Sequence, residues 1–472
     1  MSGIFGVVSK VNCARDVFYG TDYHSHLGTE FGGMAILPRR ENTPKIETHG
    51  ISRKPFRPQF EDFVAKTRGR AGIGAISDYE RQPVIYDSHI GNYALVHVGK
   101  VANLRQLVTE AHKKGTGFSQ TTGCLVNPTE VVAYLLNQGH NLVEGIEHAQ
   151  QSIISSSSMM ILKRENGRGV VYVARDLHGR TPLVIGKSKG AMAATLESCA
   201  FSNLGFETVQ ELKPGEIGRL TAGRYEQLKP GDDKNMQICA FLWIYFGYPA
   251  SSYEGVNVEE MRYRCGAAHA RLDMEAGLKI DSVAGIPDSG TGHALGYSNF
   301  MKIPHERPFV KYTPTWPRSF MPQSQRDRDL VAKMKLIPIR ELIEGRRLLF
   351  CEDSIVRGTQ LKDTIQRLYD CGAREVHMRP ACPPLTFGCK FLNFSRSKSQ
   401  DVLAGRKAIR KIEGDDYDIA PYLDESSEQF AKMVEVIRQR LGLTSLRYQK
   451  LDDLVSAIGL PREKLCLGCW RP

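Results

Sequence analysis

Residues 348–359 read LLFCEDSIVRGT, and no other stretch constrains the fold of this chain as tightly. Its apolar run and cysteine predict the end of a buried strand. Two carboxylates follow, then a small-residue turn with Gly358, then a helix through Asp363–Tyr369. A loop so placed can turn its backbone N–H groups, and the positive end of the next helix, onto a phosphate. Glu352 and Asp353 can hold sugar hydroxyls or a hydrated Mg²⁺. A strand that ends in two acids and a phosphate-sized loop is a candidate sugar-phosphate site; a glycine turn with solvated acids is the alternative.

A chain of 472 residues exceeds one typical core, so two domains are expected. Its 41% hydrophobic and 24% charged content is that of an ordinary globular protein. No apolar run reaches the roughly 20 residues of a membrane span, and MSGIFGVVSK does not read as a signal peptide, so a cytoplasmic protein with no membrane partner is expected. The net charge of +11 is spread along the chain and few basic runs alternate with aromatics, which favours small anionic substrates over nucleic acid. Eleven cysteines in such a chain suggest buried, reactive or metal-bound thiols rather than a disulfide framework.

In chain order, strands are predicted at SGIFGVVSK, 32–37, 93–98, 158–162, 170–174 and 183–186, with helices near 102–113 and 128–137. This many strands with few helices suggests a sandwich. The Gly-, Lys- and Asp-rich segment 223–233 reads as a boundary. Beyond it, CAFLWIYFGYPASSYEGVNVEEMRYRCGAAHA predicts a strand, a turn and an amphipathic helix. Alternation then becomes α/β: strand 282–286, loop PDSG, helix 294–300, and strands 347–350 and 376–380. Such repetition implies a doubly wound parallel sheet with ligands at the carboxyl ends of its strands. Residues 405–428 are charged and turn-rich, and a helix is expected over 429–441.

LLFCEDSIVRGT resembles the phosphoribosyl-pyrophosphate (PRPP) motif of the phosphoribosyltransferases. ARDLHGRTPLVIGK, LESCAFSNLGFE and LKPGEIGRL resemble the glutamine-amidotransferase domain of the amidophosphoribosyltransferases over roughly residues 2–225. The resemblance implies an N-terminal-nucleophile-hydrolase sandwich over 1–225 and a type I phosphoribosyltransferase domain over 226–472, with 405–428 an insertion. In that family an amine displaces pyrophosphate from C1 of PRPP, and catalysis is mainly electrostatic and positional. Carried over residue by residue, Glu352 and Asp353 would hold the ribose hydroxyls and the Mg²⁺ shell, with Glu352 where Asp is usual. Ser354, Ile355, Val356, Arg357, Gly358 and Thr359 would cradle the 5′-phosphate. Asp288, Ser289 and Gly290 form the pyrophosphate loop after Pro287, and Ser289 is a further Mg²⁺ contact. Lys311, Arg318 and Lys335 would neutralise pyrophosphate. The family's Lys-Asn-Arg-Tyr is here Lys311-Tyr312-Thr313-Pro314.

Cys466 and Cys469 form a CxxC near the end of the chain. Cys239 and Cys389 fall where the bacterial subclass of the family places its other cluster ligands. Four thiolates suit a [4Fe–4S] cluster or Zn²⁺, and the resemblance favours the cluster. Cys382 is expected to be a core residue.

The glutaminase residues of the family are altered. Its N-terminal cysteine nucleophile would here be Ser2 after removal of Met1. Ala75 stands in place of the arginine that grips the glutamine carboxylate, Val98 in place of the oxyanion-hole asparagine, and Pro128 in place of an acid for the substrate amine. His26-Leu27-Gly28-Thr29 replaces His-Arg-Gly-Gln. The expected activity is transfer of an amino group to PRPP from ammonia, free or delivered by another protein, as in the first step of purine synthesis, without glutamine hydrolysis. A different amine, or a PRPP-binding regulatory subunit, are the alternatives. A homodimer or tetramer is expected.

Overall fold

The computed structural model describes residues 2–122, 125–311, 336–392 and 400–471. Up to Lys229 it is built on two antiparallel sheets. The seven-stranded sheet runs Glu207–Glu211, Val184–Ser188, Ala191–Thr195, Gly3–Ser9, Ala71–Ser77, Phe31–Leu37, Lys45–Gly50. The six-stranded sheet runs Tyr225–Lys229, Ile217–Leu220, Arg168–Ala174, Ser155–Glu165, Tyr93–Val101, Val84–Tyr86.

The central strands are apolar on both faces because both faces are covered. Ile4, Ile73, Val96, Met160 and Val171 meet between the sheets. Helices Ala14–Asp22 and Phe56–Lys66 close one outer face, and Leu104–Lys113, Pro128–Leu136 and Leu142–Ser152 close the other. Continuous rather than alternating hydrophobic runs follow from that double burial. The last strand, Tyr225–Lys229, carries the sandwich slightly past the 225/226 division.

The predicted strand in CAFLWIYF is present only as Ile238–Cys239; Leu242–Phe246 is a π-helical turn. Arg262 decides this, donating to the carbonyls of Trp243 at 2.9 Å, Tyr245 at 3.3 Å and Gly247 at 3.0 Å. A short apolar run carries no period that distinguishes the two forms. Helix Val258–Glu275 follows. Its buried stripe, Val258, Met261, Arg262, Cys265, Gly266, His269, Ala270 and Asp273, has helical spacing but includes three polar side chains.

Four parallel strands follow, in the order Ser282–Gly285, Arg347–Glu352, Glu375–Pro380, Ser445–Leu446. On the free side of the first, Val283 makes a parallel bridge to His305. Taken by sequence, the spatial order is 2-1-3-4-5, a doubly wound sheet. Its order reverses between Ser282–Gly285 and Arg347–Glu352, the position where such sheets bind ligands.

The 405–428 segment departs from the turn-rich expectation at its start, since Ala404–Glu413 is a helix. It packs with Glu428–Leu441 through Ala408, Ile409, Met433 and Ile437. No helix among the described residues is long and apolar enough to cross a membrane.

Candidate active site

At the switch point, Gly285 is in register with Cys351, so the PDSG loop and the acid pair leave the sheet side by side. Ile286 N donates to Cys351 O at 3.0 Å, and Gly290 N to Ile286 O at 3.0 Å. A Cβ on Gly290 would run into the Cys351 carbonyl oxygen, so only glycine lets the two loops close. Ser289 Oγ then donates to Glu352 Oε1 at 3.2 Å. Glu352 and Asp353 are both buried, and burial first, then the neighbouring Asp353, holds the Glu352 carboxyl well above the usual carboxylate range. Lys311, on strand Phe309–Lys311, reaches back to Asp288 Oδ2 at 2.5 Å.

Ser354 Oγ donates to Asp353 Oδ2 at 2.6 Å, Ile355 anchors the loop in the core, and Val356 O accepts from Ala404 N at 2.8 Å. Arg357 is exposed. Gly358 takes a left-handed conformation with φ +72° and opens helix Thr359–Asp370. It has no side chain to cap that helix, which leaves first-turn N–H groups for an anion. Ser289 is thus joined to Glu352, Lys311 to Asp288 and Ser354 to Asp353 at the strand ends, and 355–359 lead from there into the next helix; Arg318 and Lys335 lie outside the described residues.

The N-terminal pocket is closed. Ser2 is only 4% exposed and its Oγ donates to Ser77 Oγ at 3.1 Å. Ser77 Oγ in turn lies 3.4 Å from Glu80 Oε1, which also accepts from Gln82 Nε2 at 2.8 Å. Burial raises the Glu80 carboxyl to about 7 and lowers the His97 imidazole to about 4. Their 3.8 Å approach is therefore a contact of two neutral groups near pH 6 rather than an ion pair. Ala75 and Val98 are buried apolar walls. His26 Nε2 lies 3.2 Å from Glu197 Oε1, a carboxylate that also accepts from Ser251 Oγ and Tyr248 N across the boundary. Thr29 N donates to Asp78 Oδ1 at 2.7 Å. Pro128 opens helix Pro128–Leu136, and the nearby Glu130 is occupied by Ser119 and Gln120.

Residues 70–202 match the family model described as a glutamine amidotransferase domain. The amidophosphoribosyltransferase of Methanothermobacter thermautotrophicus is 28% identical, covering 99% of this chain and 92% of that relative. The Bacillus subtilis amidophosphoribosyltransferase is 27% identical with the same coverage. The solved structure of the B. subtilis glutamine PRPP amidotransferase with ADP and GMP superposes with a TM-score of 0.83 at 26% identity, over 99% of this chain and 96% of that one. The chain resembles the amidophosphoribosyltransferases from end to end. Its fold is an N-terminal-nucleophile-hydrolase-like sandwich of the class II glutamine amidotransferases followed by a type I phosphoribosyltransferase sheet.

The cysteine centre lies where those two parts of the amidophosphoribosyltransferase-like fold meet. Ile238–Cys239 pairs in parallel with Leu465–Cys466, Cys239 opposite Cys466, so Cys239 ends its strand rather than beginning it. Thr386 N and Phe387 N donate to Cys469 O, and Trp470 Nε1 donates to Pro383 O at 3.0 Å. Cys239, Cys389, Cys466 and Cys469 line one cavity of about 230 Å³, with Arg180 of the sandwich over the Phe391 ring at 3.7 Å. Burial, then the charge of the other three thiols, pushes the Cys239 thiol well up. Among the described residues no group of three or more His, Cys, Asp or Glu is arranged as a site for a metal ion.

Two residues near these sites escaped the motif reading. Arg180 is buried beside the cysteines, and Arg262 on helix Val258–Glu275 is buried within electrostatic reach of Asp353; Cys382 is buried as expected and donates to Asp353 O at 3.5 Å. Arg262 had a sequence signal, a charge inside an apolar stripe of helical spacing.

Proposed function

We propose that this chain transfers an amino group from ammonia to C1 of PRPP with release of pyrophosphate, and that its glutaminase site is silent. The carrying observation is the pairing of the PDSG loop with the acid pair at the switch point, joined by Ser289 and Glu352. The 5′-phosphate would sit on the 354–359 loop and the helix start at Thr359, fixing C1 over the crevice. Lys311 and the PDSG loop would carry the charge gathering on pyrophosphate. Glu352, Asp353 and Ser289 would hold Mg²⁺, which supplies charge neutralisation on the leaving group. Two carboxylates and a hydroxyl suit Mg²⁺, which usually completes its shell from water and substrate phosphates rather than a closed protein cage.

Silence of the glutaminase is supported by the buried, hydrogen-bonded Ser2 and by the apolar Ala75 and Val98 walls. The sandwich, over 1–225, would then serve the transferase domain, 226–472, and its assembly into a dimer or tetramer. The four cysteines would hold a [4Fe–4S] cluster. Thiols spread around a 230 Å³ cavity suit a cluster, whereas a single Zn²⁺ needs all four sulfurs about 2.3 Å from one point. The cluster would tie the chain end to the sandwich through Arg180. Visible absorbance from anaerobically purified protein, lost in Cys466→Ser, is expected; colourless protein with one zinc per chain would contradict it.

The test of the reaction is pyrophosphate release from PRPP and Mg²⁺ across a panel of amines. Release with ammonium is expected. Release only with another amine would reassign the nucleophile, a choice the Lys311–Pro314 departure leaves to experiment; binding of PRPP without release would favour a regulatory subunit.

A further inference from the structure

Strand Ser155–Glu165 begins with one edge that no other strand covers. Its neighbour Arg168–Ala174 ends opposite Met159, so residues 155–158 are paired only on the other side, by Tyr93–Val101. A cavity of about 330 Å³ opens at this place, lined by Ser155, Ser156 and Ser157 of the strand and by Gln150 and Arg180. Two further lining residues are apolar and face water: Ile154 is 63% exposed and Leu177 41%. Ser155 has φ +145°, a strained conformation for a residue with a side chain, and its Oγ donates to Lys390 O at 2.9 Å.

Three polar groups of this lining have no hydrogen-bond partner among the described residues. Gln150 donates through Nε2 to Arg175 O at 2.8 Å, and its Oε1 is left over. Arg180 donates through Nη1 to Ser155 O at 3.4 Å and through Nη2 to Gln237 Oε1 at 3.2 Å, and its Nε is left over. The Ser156 hydroxyl is the third. All three residues are more than nine-tenths buried, where an unmade hydrogen bond is costly. Arg180 and Asp176 bring opposite charges to the lining, and the Asp176 oxygens already accept from Ser158 Oγ, His178 N and Thr181 N.

We propose that this cavity binds a small uncharged molecule through an amide edge, an N–H beside a C=O, as found in a carboxamide or a lactam ring. Gln150 Oε1 takes the N–H, Arg180 Nε gives to the C=O, and the Ser156 hydroxyl serves either. The uncovered strand edge offers the same pair of backbone groups, which an amide edge complements as a neighbouring strand would. Ile154 and Leu177 then cover the apolar body of the molecule, and few polar groups fix its orientation. Occupancy bears on the cysteine cavity as well, because Arg180 lines both. Binding requires neither the transferase reading nor the cluster.

The test is calorimetric titration of the full chain with two neutral probes, nicotinamide for the carboxamide and uracil for the lactam. Saturable binding of at least one is expected, and the tighter probe identifies the source of the edge. N,N-dimethylnicotinamide, which lacks the N–H, should bind about tenfold more weakly than nicotinamide or not at all. Ser156→Ala should weaken the tighter probe by about three- to tenfold, the loss of one hydrogen bond. Ser156→Leu, which fills the cavity, should abolish binding; if it fails to fold, the alanine variant decides. No binding of either probe up to about 10 mM would mean that the cavity holds only water, and would overturn the proposal. Unchanged binding in Ser156→Ala with wild-type melting would overturn it equally.

Discussion

The two pockets that such a two-domain fold would pair are lined by opposite kinds of side chain. In the transferase crevice, charged and hydroxyl groups gather at the strand ends: Ser289 donates to Glu352, Ser354 to Asp353 and Lys311 to Asp288, beside the first-turn N–H groups at Thr359. In the N-terminal pocket, polar groups point at one another. Ser2 is engaged by Ser77, Ser77 by Glu80, Glu80 by Gln82, and the remaining walls are Ala75 and Val98. The crevice thus offers a ligand two carboxylates, an ammonium and free N–H groups, whereas Ala75 and Val98 beside Ser2 offer no polar side-chain atom. The comparison teaches that one fold can surround its two pockets with unlike side-chain chemistry.

The largest effect that would test this contrast is at the acid pair. Asp353→Asn should lower pyrophosphate release by about 10²–10³-fold, the cost of removing one group that stabilises transition-state charge, with unchanged melting. Loss of less than about threefold would mean that the crevice is no longer the working site. A cation taken up against Glu352 must displace the proton that burial favours there. Mg²⁺ affinity is therefore expected to rise with pH, with proton release measurable by titration in two buffers. Buffer-independent heats would contradict this.

The next effect belongs to the closed pocket. Glu80 has its folded value raised to about 7 from an ordinary 4.5, so the folded state keeps a proton that the unfolded chain releases. Its contribution is full below about 4.5 and is lost as pH rises to about 7, a change of about 3 kcal/mol. His97, lowered to about 4 from 6.5, has the opposite slope between those values. Glu80→Gln should therefore melt progressively higher than wild type as pH rises from 4.5 to 7, with the difference constant above. A difference curve flat across that window would show that Glu80 is ionised in the fold and the pocket still polar.

The smallest effects are expected at Ser2. Ser2→Ala should change ammonium-dependent transfer by less than about twofold. Ser2→Cys should not yield glutamate from glutamine, since Ala75 and Val98 offer neither carboxylate nor oxyanion contacts. Glutamate from Ser2→Cys would mean that only the nucleophile had been lost.

Much of the crevice was legible because its chemistry lies in short runs: PDSG and EDSIVRGT each follow a strand, and strand register brings them together. The strands of the sandwich were legible for the same reason, as uninterrupted apolar runs. What the sequence concealed depended on distant partners. Leu242–Phe246 is helical because Arg262, a turn and a half into another helix, takes its carbonyls. The second strand of the doubly wound order is a single bridge at His305, too short for any pattern. Likewise Gln150, Ser156 and Arg180 line one cavity only after a helix, a strand and a loop of the sandwich meet.

The central claim is that the electrophile site works and the glutamine site does not. Pyrophosphate release from PRPP with Mg²⁺, measured with saturating ammonium and then with saturating glutamine, addresses both halves at once. The account requires release with ammonium and background release with glutamine; glutamine-driven release accompanied by stoichiometric glutamate would contradict it.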